Sequence, residues 1–298
     1  MKKGLSALIH PMSMEDFFSA YQSNDPFVIQ HNADHIKPLL DLPFLSSLET
    51  LLNSWPESVD VHLPDVRDEA SSITTNCDEA RKCFEQGMGL LFNEAHNLSP
   101  FLKEWLEIMR LELGLSAMTM SRCLIYATPD GKGTAPHFDQ NINFVLQIHG
   151  IKKWKMAANQ HVENPLTRHT MGLPADPEMM SYLEKPLPLN MPDETRTYEL
   201  KPGSLLFVPR GHWHETEAEG DALALNFTFT APSWLDLLTA ALRGRLAQSP
   251  EWRETADGVS DGTRAKNAEA RFDLLLNQLR EDLPHWQAKD ILGATESI

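Results

Sequence analysis

The stretch TAPHFDQNINFVLQIHGIKKW, residues 134–154, decides the fold of this chain. Two further stretches of the same texture follow, ELKPGSLLFVPRGHWHE at 199–215 and ALALNFTF at 222–229. Short apolar and β-branched runs separated by Gly, Pro, Asn or Asp are typical of antiparallel strands joined by turns. From about Met118 onward, the pattern therefore predicts an antiparallel barrel or jelly roll.

Helical patterns flank this β-rich part. Ser13 and Asp16 form a capping-box pattern in front of one predicted helix, and Ser99 followed by Pro100 starts another. Between them, PFVIQ at 26–30 resembles a strand. The fold class predicted is mainly β, a double-stranded β-helix of the jelly-roll or cupin type with N-terminal and C-terminal helices.

We expect three parts along the chain: a mostly helical region at 1–115 packing on the barrel, the barrel at 116–232, and a helical region at 233–298. The barrel contains a long Pro- and Met-containing insert at 158–194 with weak periodicity. A connection of this length is a candidate lid or substrate-binding segment, although a solvated excursion fits loop statistics equally well.

The composition limits the partners. Acidic residues outnumber basic ones by 42 to 26, which gives a formal net charge of −16, so the surface should repel phosphate backbones and anionic lipids. No apolar run reaches membrane-spanning length. We therefore expect no nucleic acid and no membrane partner. Cys77, Cys83 and Cys123 form no CxxC pair, which argues against a disulfide framework and favours a cytoplasmic location.

The triplet HFD holds two candidate metal ligands. His137 and Asp139 are two residues apart, so on a strand both side chains point to the same face. Two imidazoles and a carboxylate suit a divalent iron that keeps coordination positions open. A His-x-acid triplet alone is a weak signal, and the same spelling recurs at His161 and Glu163 in a polar loop. We interpret that second copy as solvated surface.

The third ligand should come from a later strand. The run PRGHWH offers His212 and His214, which have the same parity and could both face inward. Strand parity cannot choose between them.

These residues resemble a known family, the JmjC and cupin-like 2-oxoglutarate oxygenases, and in particular the asparaginyl hydroxylase that inhibits the hypoxia-inducible factor. The first half of the family pattern is matched at fixed offsets by Thr134, His137, Asp139, Asn143, Gln147, Gly150 and Lys152. The second half is matched by Pro202, Gly203, Pro209, His214 and Asn226. The family places its last ligand five residues beyond the second proline, which favours His214 over His212.

The resemblance implies an Fe(II) enzyme that uses 2-oxoglutarate as co-substrate together with O₂. The implied metal ligands are His137, Asp139 and His214. The implied co-substrate residues are Thr134, Asn143, Lys152 and Asn226.

A buried distal carboxylate would be costly without a partner, and a lysine beside a hydroxyl meets that need. Lys152 has this implied role, although a strand-end lysine is ordinarily solvated, as we expect for Lys153. For the further hydroxyl that family members supply from an earlier strand, Tyr126 is the candidate. We expect Trp154 to pack in the core, whereas Trp213 could pack or line the site.

The function that follows from the resemblance is hydroxylation of a protein side chain or small molecule, with 2-oxoglutarate converted to succinate and CO₂. Two alternatives stay open, a metal-dependent cupin isomerase or epimerase and a non-catalytic cupin binding module. The isomerase would have no need for a buried lysine facing a distal carboxylate. Histone demethylation is disfavoured because the chain has neither the length nor the cysteines for the histone-reading or zinc modules that chromatin-directed members carry. A ribosomal substrate is an open alternative without support, because the ribosomal-protein hydroxylases of the group have a larger C-terminal region than 233–298.

The last predicted helix carries an apolar stripe that must be covered. Its members are Phe272, Leu275, Leu276, Leu279 and Leu283. Packing within the same chain is one solution. A two-fold homodimer through the C-terminal helices is the other, and the resembling asparaginyl hydroxylase has such a dimer.

Overall fold

The computed structural model describes residues 3–30, 33–62, 72–260 and 262–296. The strands in this part of the chain are β1 (Phe27–Ile29), β2 (Val59–His62), β3 (Ser72–Thr75), β4 (Gly89–Phe92), β5 (Met120–Thr128), β6 (His137–Phe138), β7 (Ile142–Ala157), β8 (His169–Thr170), β9 (Arg196–Leu200), β10 (Leu205–Val208) and β11 (Trp213–Thr230). The α-helices are α1 (Leu5–Leu8), α2 (Met14–Gln22), α3 (Ala33–Leu40), α4 (Leu48–Ser54), α5 (Cys77–Glu85), α6 (Pro100–Glu112), α7 (Pro177–Met180), α8 (Trp234–Leu246), α9 (Ala265–Asp282) and α10 (Ala288–Glu296).

The strands form one antiparallel sheet with the hydrogen-bonded order β1-β10-β7-β11-β5-β4-β2-β3. Strands β7 and β11 pair with each other along most of their length. On the first half of β7 the other neighbour is β10, and on its second half it is β9. Likewise β6 pairs with the start of β11, and β5 with its second half. Long strands that serve two sets of neighbours are the connectivity of a jelly roll, so the predicted double-stranded β-helix is confirmed.

Gly150 marks the irregularity between the two halves of β7. Its φ is +67°, and a Cβ at this position would lie 2.2 Å from the backbone oxygen of Asp221. Only glycine avoids both the strained φ and the clash. Beside it, the register between β7 and β11 shifts between Glu219 and Leu223, where a bulge interrupts the ladder.

Helix α2 packs on the outer face of the sheet through Phe17, which is completely buried. Its ring centroid lies 5.9 Å from that of Phe144 and 5.6 Å from that of Phe207. Burying a large apolar side chain stabilises a fold by about 1.5–3 kcal/mol. Because side chains alternate along a strand, Phe144 facing the helix leaves its neighbour Asn143 facing the barrel interior.

The helix starts predicted at Ser13 and Ser99 are confirmed. The Ser13 side chain accepts a hydrogen bond from the Asp16 amide, and the Ser99 side chain accepts one from the amide of Leu102. The strand predicted in PFVIQ is β1. Strands β2, β3 and β4 were not predicted, and they extend the sheet beyond β5.

The insert at 158–194 carries its own apolar cluster. Its side chains pack against Phe138 of β6 and Trp213 of β11, and the buried members are Phe138, Ala157, Val162, Met171, Met179 and Trp213. In addition, β8 of the insert pairs with β6. The insert is therefore docked beside the strands that carry the candidate metal ligands.

The chain divides into two compact units, Met1–Gly114 with Met120–Thr230, and Leu115–Thr119 with Ala231–Ile298. The three-part division predicted from the sequence stays a prediction. In the second unit, α10 contacts α8, and the Arg245 guanidinium binds the Asp282 carboxylate at 2.6 Å. Of the predicted α9 stripe, Leu275 is buried, whereas Phe272 and Leu283 remain exposed. No helix among the described residues is long and apolar enough to cross a membrane.

Candidate active site

Two histidines present the same nitrogen to one point inside the barrel. His137 lies on β6 and His214 on β11, and these two residues are paired across the sheet, with ring centroids 4.1 Å apart. The Nδ1 of His137 is 2.7 Å from the Ala135 carbonyl oxygen, and the Nδ1 of His214 is 2.9 Å from that of His212. A carbonyl oxygen can only accept, so each Nδ1 donates this hydrogen bond and each Nε2 is the ring nitrogen that faces Asp139.

Asp139 completes the cluster. Its Oδ2 lies 3.7 Å from His214 Nε2 and 4.0 Å from His137 Nε2. His137, Asp139 and His214 form the group of possible metal-ligating side chains found in the described residues, with ligand atoms all within 4.8 Å of one another. Phe138 points the other way, into the insert cluster, as strand alternation requires.

Hydrogen bonds to backbone carbonyl oxygens connect the segment around Asp139 with the turn before β11 and orient the His214 ring. The Gly211 amide donates to the Asp139 carbonyl oxygen at 2.8 Å, and the His212 carbonyl oxygen accepts from the His214 ring. Gly211 has a φ of +79°, which glycine adopts readily. The turn before β11 therefore fixes where His214 enters the barrel.

His212 does not join the cluster. Its Nδ1 lies 3.5 Å from the Asn24 side chain, and it is absent from the residues that line the central cavity. Burial lowers the pKa of His212 to about 4, which keeps its ring neutral. Strand parity could not separate the two histidines because β11 begins only at Trp213, so His212 lies in the turn where the two-residue period does not hold.

The cavity has a volume of about 280 Å³ and contains every residue predicted for the site. Besides the three candidate ligands, its lining includes Thr134, Asn143, Lys152 and Asn226, together with Tyr126, the hydroxyl candidate. Lys152 is 4% exposed, and its Nζ donates to Thr128 Oγ1 at 3.1 Å. The Lys152 Nζ lies 5.8 Å from the centroid of the Tyr126 ring and 5.7 Å from that of the Trp154 ring.

Lys152 lies at some distance from the metal cluster along the same strands. In the register of β7 with β11, Met156 is opposite His214 and Lys152 is opposite Ala218. Four residues of strand correspond to roughly 13 Å between backbones, which a lysine side chain shortens by reaching inward. The cavity therefore has a cluster of donors for a cation at one end and an ammonium group at the other.

Hydroxyl and amide groups line the walls between these ends. Thr134 Oγ1 lies 2.9 Å from Thr216 Oγ1, and Thr228 Oγ1 donates to Asn143 Oδ1 at 2.6 Å. The buried Oδ1 of Asn226 has no hydrogen-bond partner among the described residues. A buried polar atom of this kind requires a water or a ligand to satisfy it.

The structure also shows where the two tryptophans, the second lysine and the second His-x-acid triplet lie. The Trp154 ring stacks on His214 at 5.5 Å and also packs in the barrel core, so it has both roles. Trp213 is completely buried in the insert cluster and packs there. Lys153 is exposed and binds Glu219 at 2.9 Å. His161 bonds the Pro186 carbonyl oxygen, away from the cavity.

Several residues of this site were not predicted from the sequence, among them Arg168 and His62. Arg168 comes from the insert, and its Nε lies 3.2 Å from Asp139 Oδ1, the carboxylate oxygen that does not face the histidines. His62 lines the cavity from β2. The alternation in VDVH (59–62) is a weak strand signal that could have indicated His62, but Arg168 lies in a segment without periodicity.

The donor set fits one particular metal chemistry. Two imidazoles and a carboxylate with other coordination positions open are the facial triad of non-haem Fe(II) enzymes that activate O₂. The ring nitrogens opposite the ligand atoms are each held by a backbone carbonyl, which orients the rings as in other histidine metal sites. The fold and the site thus define a jelly-roll protein with a facial triad.

Comparison with known proteins supplies the family. A family model described as "JmjC domain" matches residues 99–237. YxbC of Bacillus subtilis is 33% identical over 258 residues, covering 85% of this chain and 78% of YxbC. Ribosomal oxygenase 1 of Danio rerio is 26% identical, and the alignment covers 83% of this chain but only 45% of that relative.

Among solved structures, the ribosomal oxygenase YcfD of Escherichia coli in complex with cobalt and succinic acid has a TM-score of 0.51. The two are 16% identical over 93% of this chain and 69% of YcfD, so the likeness concerns the fold. The chain belongs to the JmjC family of Fe(II)- and 2-oxoglutarate-dependent oxygenases. The more specific resemblance to the asparaginyl hydroxylase stays a prediction.

Proposed function

We propose that this chain is a 2-oxoglutarate-dependent hydroxylase acting on a protein side chain. One observation carries the proposal: His137, Asp139 and His214 line the same cavity as the buried ammonium of Lys152. A 2-oxo acid with a second carboxylate matches both ends, because its 2-oxo acid group chelates a metal and its distal carboxylate needs a buried cation. An isomerase or a silent binding module has no use for such a pair.

In this proposal, His137, Asp139 and His214 hold Fe(II). When bound, the iron couples the conversion of 2-oxoglutarate and O₂ to succinate and CO₂ with insertion of the second oxygen atom into a C–H bond of the substrate. The protein binds, orients and excludes water. Lys152 neutralises the distal carboxylate with Thr134 nearby, and Asn143 with Asn226 supplies amide groups close to the metal.

Arg168 has a positioning role in this proposal. Its guanidinium engages Asp139 Oδ1 while Oδ2 faces the two histidines, so the carboxylate is held with a single oxygen toward the metal. A carboxylate that binds through one oxygen leaves more coordination positions for co-substrate and O₂. Because Arg168 comes from the insert, docking of the insert and geometry of the metal site are linked.

A protein substrate is favoured by the names of the relatives and by charge. The Danio rerio relative is called a ribosomal oxygenase, which makes a ribosomal protein the first substrate to test. With 42 acidic and 26 basic residues, this chain has an electrostatic field that attracts basic polypeptides, the usual character of ribosomal proteins. The sequence alone gives no support for a ribosomal substrate, whereas these two observations favour it.

The test has two stages. Purified protein with Fe(II), ascorbate, O₂ and 2-oxoglutarate should release succinate, and His137→Ala should abolish the release. Mass spectrometry of proteins from cells with and without the gene should then reveal a residue that gains one oxygen atom. The succinate assay is run once with the purified protein alone and once with a protein extract added as a source of substrate. If neither reaction releases succinate, the proposal is contradicted and the isomerase is favoured.

We also propose a homodimer and a cytoplasmic location. Helix α8 exposes Trp234, Leu235 and Leu238, and α9 exposes Phe272 and Leu274. Trp234 is 78% exposed, which is unusual for a side chain of its size. Clusters of exposed apolar side chains commonly mark association surfaces, and two-fold pairing is the most frequent kind.

A further inference from the structure

His62 is the last residue of β2 and lies in one row with two residues of the neighbouring strands. In the sheet register His62 is opposite Gly89 of β4. Leu90 of β4 is opposite Ala127 of β5, so the next pair along places Gly89 beside Thr128. His62, Gly89 and Thr128 therefore lie side by side on the face of the sheet that also presents Tyr126 to the cavity.

Gly89 leaves the middle of this row without a side chain. A Cβ placed there would lie 3.8 Å from both Cβ and Cδ2 of His62, which is ordinary van der Waals contact. The imidazole therefore covers Gly89 and leans toward Thr128. Thr128 Oγ1 accepts the hydrogen bond from Lys152 Nζ, so His62 lies at the lysine end of the cavity rather than at the metal end.

Within the described part of the chain, the ring nitrogens of His62 make no hydrogen bond and can therefore take a ligand. Both Nδ1 and Nε2 are buried, and neither has a hydrogen-bond partner among residues 3–30, 33–62, 72–260 and 262–296. A buried imidazole without partners loses the hydrogen bonds it would make in water. An N–H is present on the ring whether it is neutral or protonated, so it can always donate to an anion.

We propose that His62 is a co-substrate-binding residue that donates a hydrogen bond to the distal carboxylate of the 2-oxo dicarboxylate and contributes to selectivity for it. The inference rests on the proposed function, since it assumes that a dicarboxylate occupies the cavity. A carboxylate has room for about four hydrogen bonds, so Lys152 alone does not satisfy it. Thr128, which bonds Lys152, lies on one side of Gly89, and His62 adds a hydrogen-bond donor from the other side.

The experiment uses the full chain loaded with Mn(II), which replaces Fe(II) without turnover, and measures ligand affinity by calorimetry. Two ligands are compared, 2-oxoglutarate and 2-oxopentanoate, in which a methyl group replaces the distal carboxylate. The variants are His62→Phe, which removes both nitrogens, and His62→Gln, which keeps an N–H donor. His161→Phe is the matched control, since that ring bonds the Pro186 carbonyl oxygen outside the cavity.

His62→Phe should weaken 2-oxoglutarate binding on the order of tenfold to a hundredfold, as expected for one hydrogen bond to a charged group. Binding of 2-oxopentanoate should stay the same, His62→Gln should recover part of the loss, and His161→Phe should behave as wild type. Unchanged 2-oxoglutarate affinity in His62→Phe, or an equal loss for both ligands, overturns the inference. Wild-type protein that binds no 2-oxoglutarate overturns the proposed function, and this inference with it.

Discussion

Replacing Lys152 tests which of two adjacent lysines binds the co-substrate. Its neighbour Lys153 is a matched control one position along the same strand. Lys152 is 4% exposed and bonds Thr128, whereas the Lys153 side chain is 45% exposed and binds Glu219. In the proposed complex the Lys152 ammonium is the buried partner of the distal carboxylate. Lys152→Ala should therefore weaken 2-oxoglutarate binding, and Lys153→Ala should not.

The magnitude follows from burial. A hydrogen bond to a charged group contributes about 1.5–3 kcal/mol, and leaving the opposite charge buried without a partner raises the cost to about 3–5 kcal/mol. At about 1.4 kcal/mol per factor of ten, the dissociation constant should rise on the order of a hundredfold to a thousandfold. The exposed pair of Lys153 with Glu219 is screened by solvent and has no route to the ligand.

Calorimetry with the Mn(II)-loaded protein measures the affinity, and circular dichroism checks that each variant is folded. Lys152→Met separates charge from packing, since it keeps an unbranched apolar side chain near Tyr126 and Trp154 but removes the ammonium. We expect Lys152→Met to bind as weakly as Lys152→Ala. A larger loss in Lys153→Ala, or wild-type affinity in Lys152→Met, would refute the assignment.

Four further outcomes are expected. In a Mn(II) titration, His214→Ala should abolish binding and His212→Ala should keep most of it, and the reverse order would disprove the ligand assignment. Arg168→Gln, which removes the outer partner of the metal-binding carboxylate, should weaken Mn(II) roughly tenfold to a hundredfold, and unchanged affinity would exclude a positioning role. Light scattering should show a dimer for the wild type and a folded monomer for Leu276→Glu, so a monomeric wild type at micromolar concentration would rule out the dimer. Burial lowers the pKa of His96, so the folded protein binds a proton at this ring less readily than the unfolded chain does. The free energy of unfolding should therefore fall as the pH drops below the ordinary histidine pKa of 6.5. Urea titrations at several pH values should show a smaller fall for His96→Gln than for the wild type.

Local patterns were sufficient to predict the fold class and to suggest two of the three candidate ligands. Strand alternation has a period of two, so HFD alone places His137 and Asp139 on one face, and the structure has them there. Helix caps are equally local, which is why the starts at Ser13 and Ser99 could be predicted. Strand parity left both His212 and His214 as the third ligand, and the spacing of the family pattern then favoured His214.

Other features depend on contacts between residues that are distant in the sequence. Arg168 meets Asp139 because β8 of the insert pairs antiparallel with β6, and no periodicity near Arg168 signals that pairing. The insert shows only weak periodicity in the sequence, because its apolar side chains pack on Phe138 and Trp213 instead of forming a periodic face of their own. The register of β2, β4 and β5 places His62 beside Gly89 at the lysine end of the cavity, and no local pattern specifies that register. The sequence by itself determined which side chains can bind a metal and a carboxylate, whereas strand pairing in the tertiary structure decided which of them share one cavity.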